Sequence, residues 1–386
     1  MMHVVLRSKR VLTDEGIQPA DIIIGHDIIE EVAPYKSHSA AYDLGDRLIA
    51  PGFVDLHSDA IEKEIEPRPG ADFPIRSAVV ELDKKLTMAG ITTMFHAVGF
   101  NDAAITGNRG TETAARIIRR IDEANRDQLG VDNLIHARFE VTSFDSVSAI
   151  KELIENKCVH LLSVMDHTPG QGQFKSIETW KRFHLPVYKL SDSQADEIIR
   201  QKQLDQSRAY EVVKDLLAFA ADHHLILLSH DDDTPQKIDL IEKLGITVSE
   251  FPLDVDVAAY AGEKGIATGM GAPNVVRGKS QSGNVSARDL IAEGACDFLC
   301  SDYHPTSMLQ APYTIHRELG INLNRCFDMV TKTPARLAGM DDRGEIAAGR
   351  LADLSVIEDA DIPKVVLTMK EGTAVYNGIG CLCLEQ

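Results

Sequence analysis

Short apolar runs broken by turn-forming residues open the chain. Val, Ile and Leu gather at 4–6, 10–12, 20–24, 28–32 and 47–49, separated by Asp14-Glu15-Gly16 and Gly25-His26-Asp27, and this spacing predicts five short strands. The pattern returns at the other end, with strands expected at 352–357, 365–370 and 373–376 and Glu371-Gly372 as a hairpin turn. Two β-rich ends predict a small β-sandwich module assembled from both termini, residues 1–50 and 346–386. Between them the period changes. Apolar runs at 52–57, 91–97, 133–139, 159–164, 225–229, 247–251, 266–270 and 297–300 alternate with helical stretches at 77–88, 112–125, 146–155, 208–222 and 287–293. Eight strands alternating with helices close most simply as a TIM-type (β/α)8 barrel, placed over 51–345. The longest insertion, 165–224, reads as a substrate-facing loop and helical hairpin, although its outer part reads equally well as a passive surface addition.

Composition narrows the partners. At 386 residues the chain holds a barrel plus an accessory module, and 44% hydrophobic with 26% charged residues is the balance of a globular core. A formal net charge of -19 repels nucleic acid and anionic membrane surfaces, so a phosphate-bearing ligand needs a local basic pocket. No apolar run is long enough to span a membrane. Cys158, Cys296, Cys300, Cys326, Cys381 and Cys383 form neither a paired framework nor a zinc-site spacing, and the amino-terminal segment has no apolar signal stretch. A cytoplasmic enzyme is expected, with a homodimer as the default assembly.

Polar residues at the ends of the barrel runs carry the chemistry, because a (β/α)8 barrel builds its site there. His57 and Asp59 stand two apart, so on a strand both face the same way and can share an ion. Glu140 ends the next polar-tipped strand. Asp166-His167 and His230-Asp231 each set an imidazole beside a carboxylate, and Asp302 closes the last strand. His57, Asp59, Glu140, His167, His230 and Asp302 together predict N/O ligation of one or two divalent ions, with zinc, manganese, iron and nickel all compatible. His96 and His304 are weaker candidates suited to supporting roles, whereas His223 and His224 precede a strand and belong to the opposite, stability face. No nucleophile elbow, Walker loop or dinucleotide fingerprint is present.

A basic, hydroxyl-rich loop follows the seventh run: Arg277, Lys279, Ser280, Ser282 and Asn284 interleave with glycines, a composition suited to phosphate. Lys63 and Arg68 follow the His57 strand and either extend the same wall or belong to a solvated charge run, two readings the sequence supports equally. A small phosphorylated substrate is the expected ligand.

The segments Ala50-Pro51-Gly52-Phe53-Val54-Asp55-Leu56-His57 and Gly344-Glu345-Ile346-Ala347-Ala348-Gly349-Arg350-Leu351-Ala352-Asp353-Leu354 resemble the amidohydrolase superfamily. Within it, His57-Ser58-Asp59, Glu62-Lys63, Pro67-Arg68-Pro69-Gly70, Met165-Asp166-His167-Thr168-Pro169-Gly170-Gln171, Ser229-His230-Asp231-Asp232, the 270–278 segment and Ser301-Asp302-Tyr303 resemble the PhnM family, triphosphate diphosphatases of the carbon–phosphorus lyase pathway. The resemblance implies hydrolysis of α-D-ribose 1-methylphosphonate 5-triphosphate to the 5-phosphate and pyrophosphate by metal-activated water. It further implies that His57, Asp59, His167 and His230 hold metal, that Glu140 takes the place of a bridging carboxylated lysine, and that Asp302 is the base. Glu64 and Gln281 stand where the family commonly has histidine, and both are expected near the phosphate wall. The same metal chemistry also serves C–N hydrolysis, as in a deaminase, cyclic amidase or N-acyl hydrolase. A silent barrel used as a scaffold is the remaining alternative and predicts no bound metal.

Overall fold

The chain begins with a hairpin whose turn is set by a glycine. In the computed structural model, which describes residues 3–101, 110–170, 172, 176–188, 190–281 and 283–379, β1 (Val4–Thr13) pairs antiparallel with β2 (Gly16–Gly25), and β2 with β3 (Ile28–Pro34). The runs at 4–6 and 10–12 are one strand, not two. The register slips between Ser8 and Val11, where Ser8 Oγ accepts from the Arg10 amide (2.9 Å) and donates to the Arg47 carbonyl (2.5 Å), so the polar break is a bulge within a continuous strand. β4 (Tyr42–Asp43), too short to read from the sequence, pairs parallel with β1, as does β5 (Leu48–Pro51).

The barrel strands follow: β6 (Phe53–Ser58), β7 (Ile91–Phe100), β8 (Asp132–Glu140), β9 (Leu161–Met165), β10 (Ile226–His230), β11 (Val248–Glu250), β12 (Ala267–Gly271) and β13 (Phe298–Cys300). All neighbours in this order pair in parallel, and a bridge between Ser58 and Asp302 brings the last strand back to the first. Val54, Leu56, Phe95, Leu161, Leu228, Val248 and Phe298 fill the barrel interior, while the helices pack their apolar faces on the outside. A Cβ at Gly269 would lie 2.2 Å from the Phe298 ring, so the absence of a side chain on β12 gives the aromatic its space.

β14 (Leu354–Glu358), β15 (Lys364–Lys370) and β16 (Thr373–Asn377) then return to the first sheet, completing an eight-stranded layer in which β14 pairs with β5. The sheet curls so that Ile29 from one end and Met369 from the other share one core. Arg343 and Lys370 bind Asp132 of the barrel and approach Asp353 of the module at 3.7 and 3.6 Å, tying the two layers with charge.

The insertion is helical. The predicted helix 208–222 is the second half of a helix spanning Asp192–Asp222: Ser191 caps it, its side chain accepting from the Gln194 amide while Gln194 accepts from the Ser191 amide, and no Gly or Pro interrupts it. Ser282, Gln171, Gln173, Phe174, Cys381 and Cys383 lie outside the described residues; Cys158, Cys296, Cys300 and Cys326 are free thiols. Among the described residues no helix is long and apolar enough to cross a membrane.

Candidate metal centre

Parallel strands deliver their last side chains to one end of the barrel. His57 from β6, Glu140 from β8, His230 from β10 and Glu250 from β11 meet there, joined by residues just past β9, β10 and β13: His167, Asp231 and Asp302. Three of the turning residues, Asp231, Phe251 and Asp302, take left-handed backbone at φ 55°, 54° and 55°. Non-glycine residues held there carry strain, and here all three sit on the rim of the same site.

The ligand atoms fall into three groups, each within 4.8 Å: His57 with His230 and Glu250; His167 with His230 and Asp231; His57 with Asp59 and Asp302. Glu250 was not among the sequence-predicted residues. Both its oxygens lie 3.1 Å from His57 Nδ1, while His57 Nε2 lies 3.8 Å from Asp59. Glu140 belongs to none of the three groups. Its carboxylate accepts from His167 Nδ1 (2.8 Å), the His167 amide (3.1 Å) and Lys202 Nζ (2.7 Å), the last reaching in, buried, from the helix Asp192–Asp222. The insertion thus contributes a residue to the site that no strand-end rule would find.

Arg138 was also missed. It lies buried on β8, two residues before Glu140, donating to Asp59 (3.2 Å) and to His230 Nε2 (3.1 Å). His230 Nδ1 and Asp231 Oδ2 face each other at 3.0 Å without the alignment of a hydrogen bond. Burial, then the charge of Asp59, push Asp302 up to about 7 against the pull of Arg138. Burial works to raise Asp231 as well, but His230, His167 and Lys237 outweigh it and hold that carboxyl at about 2. For Glu140, Lys202 and His167 overcome burial and keep it ionised well below the usual range. A concentration of buried carboxylates with imidazoles between them fits a divalent cation, which would relieve the repulsion that raises Asp302.

Above the centre opens a cavity of about 420 Å³. Of the predicted phosphate-binding residues, Lys63, Arg277, Ser280 and Asn284 line it; Arg68 and Lys279, exposed at bends in the chain, do not. Lys63 and Arg277 converge on Tyr303: Arg277 donates to its hydroxyl (3.1 Å) and Lys63 Nζ lies 5.9 Å from its ring centre. Gln281 lines the cavity, whereas Glu64 binds Lys85 at 2.6 Å and does not line it, so only one of the two departures bears on the ligand. Phe251, Pro252 and Leu253 form an apolar side, and Phe183 and His184 face it from the insertion. His304 hydrogen-bonds Thr306 (3.1 Å), and His96 pairs with Asn133 (2.8 Å) in the buried barrel wall; neither lines the cavity.

Residues 175–375 match the Amidohydrolase family. The α-D-ribose 1-methylphosphonate 5-triphosphate diphosphatase of Escherichia coli (strain K12) is 32% identical over 81% of this chain and 84% of its own length. An allantoinase from Streptomyces avermitilis is 24% identical over 98% of this chain and 92% of its own. Among solved structures, N-acetyl-D-glucosamine-6-phosphate deacetylase from Mycobacterium smegmatis superposes with a TM-score of 0.66 at 15% identity, covering 97% of this chain and 100% of that one, a likeness of fold. With a family match across more than half its length and a relative near a third identical over most of it, this chain belongs to the amidohydrolase family and is a hydrolytic enzyme.

Proposed function

We propose that this hydrolase cleaves α-D-ribose 1-methylphosphonate 5-triphosphate to the 5-phosphate and pyrophosphate. The observation that carries the reading is the pair Lys63 and Arg277, drawn onto Tyr303 at the cavity wall and forming no ion pair with any described residue, in a protein of net charge -19. Two cations without a carboxylate partner among the described residues, beside a carboxylate-rich centre, suit a polyanionic leaving group better than a neutral amide. Similarity to the Escherichia coli diphosphatase points the same way.

A divalent ion held by His57, Asp59 and Asp302, with His167 and His230 beside them, would supply Lewis acidity and a more acidic water when bound. The chain's own residues do the rest. Asp302, in its carboxylate form, takes the proton of the water that attacks the phosphorus nearest the ribose. The bond from that phosphorus to the bridging oxygen breaks, and the pyrophosphate leaves toward Arg277 and Lys63, whose charge it meets. Ser280 and Asn284 offer further donors along the wall. Phe251, Pro252 and Leu253 limit water on the other side.

Pyrophosphate release from the ribose triphosphate, compared with turnover of a panel of amides, cyclic ureides and nucleobases, tests the reading. Activity confined to the C–N panel would replace it with the amide-cleaving alternative that the similarity to an allantoinase favours. Asp302→Asn should lower turnover by about 10²–10⁴-fold with metal still bound; near-normal turnover would remove Asp302 as the base.

A further inference from the structure

We propose that Tyr303 sets the phosphoryl register of the reaction, placing two phosphates and not one beyond the point of attack, an inference that rests on the diphosphatase reading above.

Tyr303 touches both cations of the cavity wall. Its hydroxyl accepts from Arg277 Nη1 at 3.1 Å, and Lys63 Nζ lies over its ring, 5.9 Å from the centre. The phenol thus stands between two like charges and seats them at separate points along the wall, one at its hydroxyl and one over its face. Arg277 depends on that contact. It is exposed at the end of the short helix Ala272–Arg277, and among the described residues its guanidinium has no other hydrogen bond and no ion pair. A guanidinium has only donors, so the phenol oxygen is the acceptor in this pair and its own hydrogen remains for another partner. Among the described residues no acceptor takes it. An oxygen of a departing phosphate in the cavity would.

The backbone fixes where this clamp stands relative to the chemistry. Tyr303 follows Asp302, the proposed base, by one peptide unit. Asp302 is held by the barrel seam: its amide donates to the His57 carbonyl at 2.9 Å, its carbonyl accepts from the Asp59 amide at 2.6 Å, and its φ is 55°. The His304 amide donates to the Ser301 carbonyl at 2.8 Å, closing a turn around Asp302 and Tyr303. Lys63 is indexed to the same seam, in the helix Ala60–Ile65 that starts directly after Asp59. The span from the point of attack to the clamp is therefore set by the strand ends that close the barrel.

A triphosphate offers two bonds whose cleavage releases an anion from its outer end. With Arg277 and Lys63 both in place the clamp receives two phosphates, the phosphorus nearest the ribose meets the water, and pyrophosphate leaves with the electrons of the broken bond. With Lys63 alone the clamp receives one. The triphosphate then advances by one phosphate, water attacks the middle phosphorus, and inorganic phosphate leaves.

Anion-exchange separation of the products formed from α-D-ribose 1-methylphosphonate 5-triphosphate distinguishes the two cleavages. The full-length protein, supplied with zinc or manganese, should release pyrophosphate and the 5-phosphate. Tyr303→Phe, which keeps the ring beside Lys63 but unseats Arg277, should raise the ratio of inorganic phosphate to pyrophosphate by about 10–100-fold, the worth of one hydrogen bond to a charged group, with the 5-diphosphate as co-product. Arg277→Met, which keeps the phenol and removes the group it holds, should give the same shift, and it decides the matter should Tyr303→Phe not fold. A role confined to the fold would slow both cleavages alike. A slower variant with the unaltered product ratio therefore overturns the proposal, as does Tyr303→Phe with normal rate and ratio. No release of pyrophosphate by the unaltered protein would remove the diphosphatase reading itself, and the register with it.

Discussion

At the scale of single residues, the carboxylates divide into those that can meet a cation and those that stand behind an imidazole. Glu250 belongs to the second kind, fixing His57 from 3.1 Å. Replacing it by Gln keeps the shape but lets the ring tautomer slip, and metal affinity should fall about 10–100-fold, measured by competition with a chelating dye; unchanged affinity would mean that Glu250 does not orient His57. The strand-end rule that picked out His57, Glu140 and His230 from the sequence applies equally to Glu250, the last residue of β11, so that omission lay in the reading and not in the signal. Arg138 and Lys202 are another matter. Arg138 sits two places before its strand end, and Lys202 lies in a charged helix whose docking no local pattern records, so their burial beside Asp59 and Glu140 follows only from the tertiary fold. Away from the site, Asp21 is buried with the Arg7 guanidinium and the amides of Lys36 and His38. Burial works to raise its pKa, but these donors prevail and hold it at about 2. A folded-state pKa below the unfolded one contributes stability that is complete above the ordinary aspartate range and lost as pH falls toward 2. Asp21→Asn should therefore lower the melting temperature at neutral pH and shrink its drop between about pH 4 and 2, read by thermal scans at each pH.

At the scale of elements, turn chemistry was the most legible feature. Glu371-Gly372 joins β15 to β16 with φ of 49° and 72°, the mirror-image turn that two-residue hairpins favour. A Cβ at Gly372 would also meet the His26 carbonyl at 2.5 Å. Gly372→Val should cost about 1–3 kcal/mol, seen as a lower urea midpoint with an unchanged slope. All eight barrel strands were visible because buried parallel strands are continuous apolar runs. The β1 bulge was not, since Ser8 and Arg10 read as a polar break until their bonds to the Arg47 carbonyl and to each other are seen. Nor was the full helix Asp192–Asp222, whose first half holds only a short apolar stripe, Ala195, Ile198 and Ile199, within a charged run; its start is set by the capping box at Ser191, a signal that was present in the chain.

For the whole molecule, closure and chemistry fall on the same residues. β13 returns to β6 through the Ser58–Asp302 bridge, with the Asp302 amide donating to the His57 carbonyl (2.9 Å), the Asp59 amide to the Asp302 carbonyl (2.6 Å) and Ser58 Oγ to the same carbonyl (3.1 Å). The backbone that seals the barrel is therefore the backbone of the residues expected to grip an ion, and an ion held there would couple its fluctuations to occupancy. An ion bound to His57, Asp59 and Asp302 acts as a cross-link between the two ends of a 246-residue loop, and removing it should let that seam breathe before any other strand pair. Deuterium uptake at the amides of Asp59 and Asp302 should rise on chelation while that of Leu162 and Leu228, within β9 and β10, stays slow; equal protection with and without metal would separate the lock from its ion.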